Sequence, residues 1–410
     1  MNKYQEFKVK YDQIDKFLIL RFLAAISVVV FHTSLINKNK IQFFGHDLTF
    51  LYWLDGITAV YFFFILSGFL ISKAFWDKRY EFDLPSLLQF YWARIVRIIP
   101  LYYFTVILTV TFLYTNLLKP SNWNILWRIL IFDYNQDIFN STKNFAFSNI
   151  SLWAISTEIQ FYILAPILVL VVIKVCKNKV STIFLSLVIL FLIVWRRLVN
   201  LAFLPFFPAF PSHVLELQYP FVYLFRDLDL FLWGIILPPI LTHFQSFWDK
   251  IANFSPILEF LIGIILFFLS AWNVYFDRSF GILAILIFPF LISLFILINQ
   301  STNLPFVKKT YNWGTIRHNP ILFLEFLGVF SYGIYLWHLP IFMTLAPNLD
   351  SNQFFATTRF GKILKKIIIL ACLGGFVIFS YFVVELPFSK VKLPRFLSKI
   401  ANKLSNKSNL

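Results

Sequence analysis

Arg21 and His32 stand eleven positions apart in an otherwise apolar run, "ILRFLAAISVVVFH". At about 100° per residue they fall within roughly 20° of one helical face, and at about 1.5 Å per residue they are roughly 16 Å apart along it. A lipid-type segment penalises both groups, so a cation and an imidazole on one face read as functional. The plainer readings are helix-to-helix contact, or an arginine that snorkels to the interface. Glu158 in "ISLWAISTEIQFYILAP" and His338 in "LEFLGVFSYGIYLWHLP", the latter with Tyr335 at i−3, lie in two other apolar segments. An imidazole beside a carboxylate takes a proton from a hydroxyl near neutral pH, which makes His32 and Glu158 the catalytic candidates. The competing reading has Glu158 and His338 pairing only to hold helices together. Arg94 and Arg97, three apart in "FYWARIVRIIP", share a face at the start of an apolar segment. With Arg21 they would form a basic mouth for a phosphate-bearing ligand, because guanidinium meets phosphate oxygens in bidentate fashion. They read equally as anchors at a membrane boundary. Ser67 and Gly68 interrupt a bulky face in "FFFILSGFLIS" and permit close backbone approach. No G-x-S-x-G elbow surrounds Ser67, so it reads as a supporting residue and not a nucleophile.

The elements that carry these residues are membrane spans. Of 410 residues 59% are hydrophobic and 14% charged, with a mean hydropathy of +0.74. A soluble chain of this length exposes more polar surface than that composition supplies. Apolar segments near 20 residues recur at 17–36, 52–72, 98–118, 152–173, 180–200, 221–241, 256–273, 280–298, 321–343 and 366–387. The expected fold is therefore an all-α polytopic integral membrane protein with about ten transmembrane helices. "FLPFFPAFPSHVLELQYP", between the fifth and sixth segments, is too proline-rich for a continuous helix and reads as a re-entrant or interfacial element.

A formal charge of +16 would suggest nucleic acid in a soluble chain, but here its placement argues against that partner. Most of the 36 Lys and Arg fall on one side of the expected topology, which puts both termini in the cytoplasm. The organisation expected is a cytoplasmic segment 1–16, a transmembrane domain 17–388 and a basic tail 389–410 lying along anionic headgroups. Cys176 and Cys372 have no CxxC partner and read as buried, inert thiols; no metal site is expected.

Taken in order, the Arg-x10-His of Arg21 and His32, "FFFILSGFLIS", "FYWARIVRIIPLYY", "LWAISTEIQFYILAP" and "FLGVFSYGIYLWHLP" resemble the membrane-bound acyltransferase 3 family, the bacterial surface-sugar O-acyltransferases. The resemblance covers nearly the whole chain. It implies a ten-helix core in the bacterial cytoplasmic membrane, acetyl-CoA or another acyl-CoA as the donor, and a carbohydrate or lipid-linked glycan hydroxyl as the acceptor. Carried onto matching positions, it makes His32 the catalytic histidine, Arg21, Arg94 and Arg97 the donor-binding side, and Glu158 a supporting acid, with Tyr335 and His338 in roles the motif does not define. Two positions depart from the pattern: many members carry Asp where this chain has Leu18 and again where it has Tyr61. A rival function, transport or flipping of a lipid-linked saccharide, would also use broken helices and a central polar cluster. A sensor or scaffold is a further alternative, in which His32 would be dispensable.

Overall fold

The computed structural model describes residues 15–37, 42–43, 46–47, 56–134, 151–203, 222–252, 258, 261–266, 281–300 and 317–394. Its helices are α1 (Lys16–Asn37), α2 (Gly56–Trp76), α3 (Leu84–Phe112), α4 (Trp123–Leu130), α5 (Leu152–Val175), α6 (Lys179–Phe203), α7 (Val222–Ile235), α8 (Leu237–His243), α9 (Gln245–Ala252), α10 (Gly281–Gln300), α11 (Pro320–Gly328), α12 (Ser331–Asp350), α13 (Gln353–Thr357) and α14 (Arg359–Ser380). A π-helical turn, Tyr381–Glu385, and the short α15 (Leu386–Phe388) continue α14. The β-structure among the described residues is one antiparallel pair of two-residue strands, Gln42–Phe43 and His46–Asp47.

Local chemistry sets several helix starts. The Asp15 carboxylate accepts the backbone N–H of Phe17 and Leu18, which caps α1. Asp83 caps α3 through Ser86 N–H, and Pro85 follows in the first turn, where its missing N–H is harmless. The cap starts α3 well before the expected 98–118, so Arg94 and Arg97 lie inside the helix and not at its beginning. Pro100 is accommodated within α3.

Among the described residues four helical stretches are long and apolar enough to cross a bilayer: Thr58–Trp76, Leu84–Phe112, Leu152–Val175 and Phe360–Phe388. Two broken pairs, Asp227–His243 with Gln245–Ile251 and Pro320–Gly328 with Ser331–Asp350, raise the number to six if each is one span. This is an all-α, multi-span membrane protein. Helices α1 and α10 also fall on expected segments; the proline-rich stretch after Phe203 and most of 256–273 lie outside the described residues, as do 1–14 and 395–410. Large apolar side chains face outward at helical spacing: Ile163, Ile167, Val171 and Val175 on α5, and Ile363, Ile367 and Leu370 on α14. Such stripes are unfavourable in water and at home in hydrocarbon. The same outward face explains why Cys372 on α14 is only half-buried, against the expectation of two buried thiols; Cys176 is buried, and burial pushes its thiol pKa up.

The chain forms two compact units, Met1–Phe63 with Phe244–Tyr335 and Phe64–His243 with Leu336–Leu410. In the first, α11 packs on α1 so closely that a Cβ on Gly328 would stand 2.1 Å from the Leu18 carbonyl oxygen. In the second, a Cβ on Gly68 of α2 would stand 2.3 Å from the Phe231 carbonyl oxygen, and one on Gly234 of α7 2.1 Å from that of Ile65. Phe64, Phe231 and Phe161 stack beside this crossing, with ring centroids 4.6 and 3.9 Å apart. The interfacial-type helix α4, with Trp123 and Trp127 exposed, is fastened to α3 by the Tyr102 and Tyr103 hydroxyls, which donate to the Ile129 and Leu130 carbonyls at 2.8 and 2.7 Å. Phe132, in left-handed backbone at φ 61°, offers its carbonyl to the Gln160 amide of α5 at 2.9 Å. Past the last helix, the Val391 carbonyl accepts the Trp92 indole N–H at 3.1 Å, which ties that segment to α3.

Candidate active site

His32 lies near the C-terminal end of α1, with Arg21 three turns earlier on the same helix. Its Nδ1 is 3.0 Å from the Val28 carbonyl oxygen. A carbonyl only accepts, so Nδ1 carries the proton and the neutral ring has its lone pair on Nε2. The imidazole also packs edge-on to Phe31, at 5.4 Å between centroids. Tyr335, at the start of α12, is buried in this first unit against Phe63.

The second unit gathers a different set. Glu158, in the second turn of α5, accepts the Ser67 hydroxyl on Oε1 at 2.6 Å, and the Tyr162 hydroxyl donates to the same oxygen. Ser67 reaches Glu158 because the Gly68–Gly234 crossing and the Phe64–Phe231–Phe161 stack bring α2, α7 and α5 together. The Arg94 guanidinium lies 5.4 Å from the centroids of both the Phe90 and Tyr162 rings, within the range of a cation–π contact. Its Nε is buried without an acceptor, and Arg97 and Glu158 are its charged neighbours. His338 is fully buried on α12, next to Trp337, whose indole donates to Ser380 at 3.1 Å.

The sequence-derived set thus divides between the units. Arg21, His32 and Tyr335 belong to the first; Ser67, Arg94, Arg97, Glu158 and His338 belong to the second. Within the second, Ser67 bonds Glu158 directly, and Tyr162 links Glu158 to Arg94. Among the described residues no group of three His, Cys, Asp or Glu side chains is arranged to hold a metal ion.

A family profile described as an acyltransferase domain matches residues 14–390. The chain belongs to the acyltransferase 3 family. It is 26% identical over 363 residues to the peptidoglycan O-acetyltransferase OatA of Listeria monocytogenes, a match covering 82% of this chain and 50% of that relative. It is 28% identical over 187 residues to the O-acetyltransferase OatA of Staphylococcus aureus, covering 40% of this chain and 26% of that relative. The chain spans about half the length of the curated relatives it matches over most of its own. No solved structure matches it.

In this member of the acyltransferase 3 family, sequence reasoning passed over several buried polar groups. Tyr162 was discoverable as the i+4 neighbour of Glu158 on one helix face. Glu385 was discoverable as a lone carboxylate in the last apolar segment, "VELPF". It closes the π-turn, its Oε1 is buried without a hydrogen-bond partner, and Arg97 is the cation that acts on it. Single π-turns recur at functional sites, where the extra residue re-aims a side chain. Asp227 and Asp229 on α7 and Glu325 on α11 are buried as well.

Proposed function

We propose that this chain transfers an acyl group, acetyl as the default, from acyl-CoA to a hydroxyl of a cell-surface or lipid-linked carbohydrate. The observation that carries the reading is the His32 tautomer: with Nδ1–H bound to Val28, Nε2 is the base within a membrane helix that also carries Arg21. His32 Nε2 takes the proton of the acceptor hydroxyl as its oxygen attacks the thioester carbonyl. The tetrahedral species collapses to the new ester and the CoA thiolate, and the imidazolium returns the proton to that thiolate. Arg94 and Arg97 hold the phosphates of the donor. The Arg94 guanidinium, which is half-buried and makes no hydrogen bond to protein among the described residues, suits that task. The relatives' names, both O-acetyltransferases and one acting on peptidoglycan, support the acetyl donor and the glycan acceptor. The proposed setting is the bacterial cytoplasmic membrane, with ten spans, both termini cytoplasmic, and domain limits at residues 17 and 388.

The test is transfer of labelled acetyl from acetyl-CoA in membranes carrying the wild-type chain or His32→Ala, with cell-wall and surface glycans of the host as acceptors. Label enters glycan with the wild type and falls at least about a hundredfold without the imidazole. No label transfer and no free CoA from the wild type, with acetyl or longer acyl donors, overturns the reading in favour of a saccharide transporter.

A further inference from the structure

A guanidinium near a carboxylate ordinarily closes a direct ion pair, often bidentate. Arg94 does not. Tyr162 touches both groups: its hydroxyl donates to Glu158 Oε1 and its ring lies under the Arg94 guanidinium. Phe90, fully buried, supplies a second ring. Among the described residues Arg94 makes neither a hydrogen bond nor an ion pair to protein, and its Nε is sealed from solvent. Its charge is thus balanced by two ring faces and by the field of Glu158, while its N–H donors stay unspent. Ser67 completes the arrangement by giving a second hydrogen bond to the same carboxylate oxygen, which fixes the position of Glu158.

We propose that Ser67, Glu158 and Tyr162 form a positioning relay that holds Arg94 open for a phosphate group of the donor. Tyr162 touches both cation and carboxylate, so Glu158 steadies Arg94 without occupying the donors that the phosphate needs. Removing the phenol hydroxyl would free Glu158 to reach for Arg94 directly and compete with the ligand. Tyr162 and Ser67 are then positioning residues. This inference rests on the acyl-CoA reading above and assigns one subsite within it.

The test compares acetyl-CoA with acetyl-pantetheine, which presents the same thioester without the nucleotide phosphates, for the full-length wild type, Tyr162→Phe, Ser67→Ala, Arg94→Gln and Tyr162→Phe/Arg94→Gln. CoA binding is followed by calorimetry. Tyr162→Phe should raise the KM for acetyl-CoA and weaken CoA binding about tenfold, the effect of losing one hydrogen bond to a charged group. It should leave kcat within about twofold and acetyl-pantetheine turnover unchanged, with Ser67→Ala following in the same direction. In the Arg94→Gln background the Tyr162 change should have no further effect, because the group it positions is gone. Equal losses with both donors, or a full Tyr162 effect on top of Arg94→Gln, overturn the relay and leave the transfer reading standing. Failure of the wild type to bind CoA overturns the donor reading and the relay together.

Discussion

Nδ1 of His32 bonds the carbonyl one turn behind it, a contact open to any helical histidine, and it fixes the tautomer that the proposed mechanism uses. Glu158 shows the same economy, with two donors on Oε1 and no protein donor on Oε2 among the described residues. Neither arrangement is visible in a string of letters, although both residues were. Away from the site, Lys365 on α14 is buried and its amine lies 2.7 Å from Asp350 at the end of α12. Asp350→Asn leaves that ammonium without its counter-charge and should cost about 1 to 2 kcal/mol, less than a fully buried pair because Asp350 is 44% exposed. Adding Lys365→Met should restore most of the loss, since the burial penalty then disappears; thermal unfolding in detergent reads both. A double variant as unstable as the single one would show that the pair contributes by packing and not by charge.

Between helices, small residues set the distances. Gly68→Ala and Gly234→Ala each push a methyl group into a backbone carbonyl of the facing helix, and each should destabilise by about 3 kcal/mol. The pair should cost less than the sum, because one separation of α2 from α7 accommodates both. Gly374→Ala should instead stabilise by about 0.5 to 1 kcal/mol, since that position in α14 has open space around it and alanine favours the helix. Melting temperatures of the four variants check the contrast. The Ser67-Gly68 pair was legible in sequence because a small residue amid Phe, Ile and Leu has few other uses. Hydropathy does not register the early start of α3, because it weighs side chains and overlooks the Asp83 cap and Pro85, which begin the helix in polar sequence. Glu385 escaped for a related reason: an apolar window averages one carboxylate away, and nothing in the letters marks a π-turn.

Over the whole molecule, composition alone announced the membrane, and the outward stripes of α5 and α14 agree with it. Hydropathy registers length and apolarity, so it finds Leu152–Val175 easily and treats broken pairs such as Pro320–Gly328 with Ser331–Asp350 as single runs. The proposed topology has its own check. A fluorescent protein fused after Leu410 should glow and a periplasm-dependent phosphatase fused there should be inactive; the reverse pattern overturns the cytoplasmic assignment of that end. The Trp92 hydrogen bond to Val391 has a practical side. Trp92 lies two residues before Arg94 on the same helix, so the stretch around Lys392, which is exposed, is stitched to the backbone that carries Arg94 and Arg97. An environment-sensitive dye at Lys392 would therefore sit on a lever arm of the phosphate subsite proposed above, an optical readout of donor occupancy that leaves Arg94 and Arg97 in place.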